Sequence, residues 1–296
     1  MNEWKGARMY EKELVSWFPT ARIVEEELPQ SSWLSLVLED GRCLQVPKEE
    51  LTARELFLFE LLTGKTKQTS SNPWFLYLNQ GGKLPQPLGA LQAIYIHIPG
   101  SSDTEAIKTL LEMMGDLLTN QVTVFQQSKW DYVFVLDQTF RVDVEEIVQS
   151  VLPALEYDLG LKLAVFIGQI WPQQIVQEWP QIFQAEVNLF TDWKHSVHQS
   201  TFLRFSQVFI LGTGQGSRGR QYLKSVLRGL LLSQDQLEET ILALWSEAAV
   251  VTKAAQRLYV HRNTLQYRLE KWQDLTGLQL KELTDLTMCY QVLMEQ

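Results

Sequence analysis

Between Arg262 and Arg268 the chain reads RNTLQYR. Arginine reaches the O6 and N7 of guanine with two parallel donors, Asn and Gln do the same for adenine, and a Thr methyl packs on the thymine methyl. Arg262, Asn263, Thr264, Gln266 and Arg268 are therefore candidate base readers, with His261 and Tyr267 beside them. Lys253, Arg257 and Lys271 flank this set and suit phosphate contacts, which position a protein on DNA without reading sequence. From Lys253 to Gly277 there are five Lys and Arg against two acids, Glu270 and Asp274, in a chain of net charge −9. A polyanionic ligand would explain that local inversion, since DNA binding needs only one basic face. The competing reading is a solvated helix face, with Arg268 paired to Glu270 or Asp274 and Tyr267 lying flat on a neighbour.

To act together, these side chains need a particular scaffold. Thr252 is placed to cap a short helix reaching Leu258, because its hydroxyl can accept from a free first-turn N–H. Ala254 and Ala255 are small enough for another helix to cross closely. Tyr259-Val260-His261 breaks the pattern, and a second helix begins near Arg262 or Asn263. Leu265, Leu269 and Trp272 follow at i, i+4 and i+7, an inward stripe, and Gly277 is a stop signal. Two helices and a tight turn over 252–276 describe a helix-turn-helix, whose second helix enters the major groove. The apolar C-terminal helix (Leu286, Tyr290, Leu293) is expected to pack behind it.

The run AAQRLYVHRNTLQYRLEKWQDLTGLQL closely resembles the C-terminal helix-turn-helix of the PucR/CdaR family of bacterial transcriptional regulators. The matching positions are Ala254-Ala255, His261 to Leu265, Tyr267 to Leu269 and Thr276 to Leu278. The preceding LEETILALWSEA resembles the family's helix before the motif. The resemblance implies a DNA-binding regulator that responds to a small metabolite. It assigns DNA contact to His261, Arg262, Asn263, Thr264, Gln266, Tyr267 and Arg268. One departure is EAAVVT before the motif, where the family often has a polar or glycine-containing bend.

Enzyme constellations are weaker. Gly214, Gly216 and Gly219 have GxGxxG spacing after the apolar run VFIL, but the helix that follows leads to more helix, not to the second strand of a dinucleotide site. A flexible hinge is the plainer reading. A diguanylate cyclase would carry paired glycines and acids at its hairpin to admit nucleotide and hold metal; here QQSKWDYVF retains only Asp131. His97 reads as a packed or edge histidine. His195 and His198, beside Asp192, have helical spacing but no third metal ligand nearby. No catalytic residue, cofactor or metal is expected, so the chain reads as a non-enzyme.

At 296 residues, 45% hydrophobic and 21% charged, the chain has room for about two domains with real cores. Its two cysteines, Cys43 and Cys289, are far apart and in no metal-ligand spacing. The charged N-terminus has no apolar h-region, and no apolar run reaches the ~18 residues of a membrane span. A cytoplasmic protein is expected. The predicted fold class is α+β multidomain. Residues 1–85 form a mixed accessory region with a hairpin at Asp40-Gly41 and a helix near 48–64. Residues 86–211 read β-α-β-β-α-β-α, a ferredoxin- or cyclase-like sheet with helices on one side, resembling a degenerate GGDEF-like domain for sensing or dimerisation. The helices expected over 143–160 and 173–190 are interrupted at Pro153 and Pro180 in this reading. Residues 212–220 are a glycine-rich hinge, and 221–296 an all-α DNA-binding domain. Expected partners are double-stranded DNA, a small-molecule effector and a second copy of the chain, with no membrane. The alternative is a signalling or scaffold protein whose helical domain binds another protein.

Overall fold

The structure is a computed structural model and describes residues 20–24, 33–37, 43–47, 51–52, 55, 71–99, 103–194, 199–212 and 218–294. The predicted helix over 48–64, Gly214, Gly216, His195 and His198 lie wholly or largely outside these residues. The chain divides into two compact units, Met1–Thr69 and Ser70–Gln296.

In the first unit β1 (Arg22–Val24), β2 (Trp33–Val37) and β3 (Cys43–Pro47) form an antiparallel sheet with β3 central. β2 and β3 pair from Trp33↔Pro47 to Val37↔Cys43, as the predicted hairpin requires. Arg22 donates to Gln45 at 3.0 Å and lies over the Trp33 ring.

The second unit opens with α1 (Pro73–Gln80), capped by Asn72, whose side chain accepts from two first-turn N–H groups. There follow β4 (Ala90–His97), α2 (Thr104–Leu117), β5 (Gln121–Ser128), β6 (Asp131–Asp137), α3 (Val144–Leu159) and β7 (Ala164–Ile167). The short β8 (Trp171–Pro172) leads through a 3-10 turn into α4 (Trp179–Lys194). Next comes β9 (Thr201–Arg204), a strand absent from the sequence reading. The sheet order is β5-β6-β4-β7-β9, with β8 pairing β4. β4 is antiparallel to β6 and β7, and β9 is parallel to β7.

Both faces of this sheet are covered, not one. β4 is almost wholly buried, the pattern of a strand packed on two sides. Ile94, Ile96 and Ile98 join Ile107, Leu110 and Met114 of α2 and Val148 and Leu152 of α3. Leu91, Ala93 and Tyr95 alternate to the opposite face and meet α1 and α4. There Tyr95 sits among Phe166, Phe183 and Phe190, with ring centroids 5.3–5.7 Å apart. Pro153 does not end α3; Val148, Leu152 and Leu155 on both sides of it are anchored in the core. Pro180 stands in the first turn of α4, where its missing N–H costs nothing.

The rest is helical: α5 (Phe205–Leu211), α6 (Arg218–Leu232), α7 (Leu237–Ser246), α8 (Val251–Arg257), α9 (Arg262–Thr276) and α10 (Leu283–Met294). The run VFIL before the glycines lies in α5, so the strand that a dinucleotide site needs is absent there. Gly219 is packed against α4, where an added Cβ would come within 3.1 Å of the Ala185 carbonyl oxygen. The C-terminal helix α10 packs mainly on α5, α6 and α7, not directly behind α9, and Tyr290 stacks on Trp245 of α7 at 4.3 Å. Leu223, Leu265 and Leu286 share one core with Tyr95 and Phe166 of the sheet.

Candidate nucleic-acid interface

The paired helices α8 and α9 are held by a buried stripe. Leu265, Leu269 and Trp272 of α9 are buried as expected, and Ala254 and Ala255 of α8 are buried at the crossing. The cap of α8 differs from expectation. Val250 is its N-cap and offers no side-chain bond, while Thr252 is inside the helix and exposed. The chain turns earlier than Thr252 because Ala248 and Ala249 both take left-handed backbone angles, φ 51° and 62°. Ala249 N–H then reaches back to the Leu244 carbonyl at 2.8 Å, closing α7. A left-handed bend of the kind that glycine favours is thus built here from alanines.

Another left-handed residue makes the turn between α8 and α9. Tyr259 has φ 52°, and the next N–H, of Val260, bonds the Ala255 carbonyl at 3.0 Å. Tyr259 is 97% exposed. His261 then caps α9: its Nδ1 accepts from the Asn263 N–H at 3.2 Å. That bond needs a lone pair on Nδ1, so the ring proton sits on Nε2 and is left as an outward donor.

Beyond the cap, Arg262, Asn263 and Thr264 are all exposed in the first turn of α9. Asn263, Tyr267 and Lys271 continue as an exposed ridge at i, i+4 and i+8. Lys253 and Arg257 are exposed on α8, with Arg257 paired to Glu247 at 3.4 Å. Gln266 is half-buried and donates to Glu270 at 2.7 Å. Arg268 stands apart. Its guanidinium bridges to Gln236 and to Thr240 of α7, so neither Glu270 nor Asp274 is its partner. It ties α9 to α7 and turns away from the exposed ridge. Tyr259 is the residue that the sequence reading left out, because nothing in YVH marks a left-handed turn without glycine.

The far end of α9 is held by the sheet part. Gly277 ends the helix at φ 77° and lies so close to Ile170 that a Cβ would meet its Cδ1 at 2.7 Å. Arg141 donates to the Asp274 carbonyl, and Gln169 to that of Thr276. Last-turn carbonyls have no partner within a helix; side chains from the α+β part supply them here.

The family model described as the PucR C-terminal helix-turn-helix domain matches residues 237–293. This is a PucR-type helix-turn-helix domain. It runs from α7 through α10, and the resemblance drawn from the HRNTL and YRL positions falls inside it. Over nearly its whole length the chain is 29% identical to a "Leucine-rich protein" of Streptococcus dysgalactiae subsp. equisimilis, covering 96% of this chain and 99% of that one. It is 22% identical to the "Uncharacterized protein YxkF" of Bacillus subtilis (strain 168), covering 94% and 96% respectively. Among solved structures, a Regulator of Polyketide Synthase Expression from Bifidobacterium adolescentis aligns with 70% of this chain and 80% of its own. The identity is 17% and the TM-score 0.35.

Outside the PucR-type domain, the hairpin acid Asp131 is fully engaged. His97 Nδ1 is 2.7 Å from one oxygen, and Ser128 and Lys194 reach the other. Burial pushes its carboxyl up, but these three bonds outweigh that and hold it at about 2. This is an ion-paired clamp at the β5–β6 turn. Among the described residues, no group of three metal-ligating side chains is gathered, and no helix is long and apolar enough to cross a membrane.

Proposed function

We propose that the chain is a sequence-specific, DNA-binding transcriptional regulator that reads the major groove with α9. The observation that carries this reading is the exposed set Arg262, Asn263, Thr264 and Tyr267, on a helix whose opposite stripe is buried. The helix presents its N-terminus, with its partial positive charge, to an incoming phosphate. His261, Lys253, Arg257 and Lys271 serve the backbone, while Gln266 reads a base only by exchanging its bond to Glu270. Arg268 acts by orienting α9. One motif covers a short site, so two copies of the chain bind half-sites about 34 Å apart.

We assign residues 86–211 to sensing a small effector, to dimerisation, or to both, with no catalysis. The antiparallel order β5-β6-β4-β7 supports a ferredoxin- or cyclase-like core, and Asp131 is too engaged to serve as a free metal-binding acid. Residues 1–69 are an accessory region, since the part of the expected 1–85 region that holds α1 belongs to the second unit, and the glycine-rich stretch before α6 joins the α+β part to the helices. Such a regulator works in the cytoplasm.

The test is fluorescence anisotropy on DNA fragments flanking the protein's own gene, at two salt concentrations, with Arg262→Ala alongside. Tight, fragment-selective, salt-sensitive binding that the variant loses is the expected result. The exposed Tyr259 and Tyr267 favour one other reading, docking of this face on a protein. An apolar interface of that kind would be nearly indifferent to salt, whereas phosphate contacts are not.

A further inference from the structure

A cavity of about 390 Å³ lies where the α+β part meets the C-terminal end of α9. Its walls are the start of α3, the loop after β7, the start of α5 and the segment from Asp274 to Gln279. The size falls in the range of small-molecule sites. The side chains that clamp α9, Arg141 and Gln169, are also part of its lining.

Two features define what would fit. The first is a free acceptor on a side chain that is otherwise buried and engaged. Gln169 is 4% exposed. Its Nε2 donates to the carbonyls of Ile170 and Thr276, and its backbone N–H donates to Glu186. Its Oε1 accepts from no described residue and is open to the cavity rather than sealed in the core. The Nε2 faces two carbonyls, which fixes the amide orientation and leaves Oε1 as the free atom.

The second feature is the sign of the charge. Asp143, Glu145, Asp274 and Asp285 line the cavity, against Arg141 and Arg204. Arg141 is committed to the Asp274 carbonyl, and Arg204 meets Glu145 at 3.3 Å. The Glu145 carboxyl is nonetheless pushed above its ordinary range: burial and the acids Asp143, Asp285 and Glu282 outweigh the pull of Arg204. The cavity therefore has a free acceptor and an excess of negative charge, both met by one group, an ammonium with three donors, while the buried Arg204 Nε is a leftover donor that suits an acceptor elsewhere on the same molecule.

We propose that this cavity binds a small polar molecule carrying a protonated primary amine, with the amine between Glu145 and the free Oε1 of Gln169. The occupant touches both the α+β part and the clamp on the reading helix. That it would bias DNA binding rests on the function proposed above; its binding does not.

The test is calorimetry on the full chain, without DNA. The probes are putrescine, L-alanine and, as a dicarboxylate without an amine, succinate. The expected result is that one or both amines bind and succinate does not. Binding of putrescine alone marks a diamine ligand, and of L-alanine alone an amino acid. Glu145→Gln should weaken the amine by about tenfold or more. Gln169→Leu should weaken it as well, with thermal melting run beside it to confirm that the variant is folded. No heat from either amine at millimolar concentration, equal binding of succinate, or unchanged affinity in Glu145→Gln overturns the proposal. None of these results depends on whether the chain binds DNA, so a failure of the regulator reading would be seen separately, in the anisotropy experiment.

Discussion

Two arginines of one helix separate reading from positioning. Arg262 is exposed, so Arg262→Ala should leave thermal stability unchanged and weaken specific DNA binding by about 1–3 kcal/mol, as should Asn263→Ala. Normal binding by both variants would remove α9 from the interface. Arg268 bridges to Gln236 and Thr240, so Arg268→Ala should lower stability by about 1–2 kcal/mol in urea denaturation. Sequence spacing could not tell these residues apart, because Gln236 and Thr240 come close only after α7 and α9 pack. A third residue sets a pH dependence. Glu186 is buried, with Gln169 N–H, Trp171 Nε1 and Tyr95 Oη donating to it at 2.8–2.9 Å. Burial, against the pull of those donors, pushes its carboxyl from 4.5 up to about 7. The folded state therefore keeps this proton longer than the unfolded chain does. Its contribution is full at low pH and is lost as pH rises through about 7, by at most about 3 kcal/mol. Glu186→Gln should flatten that slope in urea titrations between pH 4.5 and about 7, because the amide oxygen still accepts from Gln169 and Trp171.

At the level of elements, the helices of the PucR-type domain were legible in the sequence because their apolar stripes and Gly277 are local signals. The bends between them were not. Ala248, Ala249 and Tyr259 adopt left-handed angles that L-residues take at a cost of about 1–2 kcal/mol, and no sequence rule places an alanine there. Ala248 is exposed, so Ala248→Gly loses no packing. It should raise stability by about 0.5–1 kcal/mol once the greater freedom of glycine in the unfolded chain is subtracted; the urea midpoint measures it. A lower midpoint would mean that the bend carries no strain. The same limit explains Thr252: a good capping residue one position too late is still inside the helix. β9 escaped notice because its partner β7 is distant in sequence and pairs with it in parallel.

At the scale of the molecule, periodicity separated an α+β part from a helical part, while the packing joins them. Leu265, Leu269 and Trp272 share a core with Tyr95, Phe166 and Phe183; such long-range contacts leave no trace in local patterns. Leu269→Asp places a charge in that shared core and should therefore unfold residues 70–296 together. Tryptophan fluorescence and far-UV circular dichroism should give coincident urea transitions in the parent chain, at a lower midpoint in milder Leu269→Ala. Two separated transitions would contradict a shared core. The anchoring of α9 at Gly277 has a mechanical meaning as well. Its 15 residues make an arm about 22 Å long, pivoted where Ile170 presses on Gly277, with Arg262 and Asn263 at the far tip and α7 and α8 carried along by Arg268 and the buried stripe. A tilt of about 5° at the pivot swings that tip by about 2 Å, over half the ~3.4 Å step between successive bases of a strand. A displacement at the pivot too slight to disturb the core would thus be geared up to the size of a base-pair step.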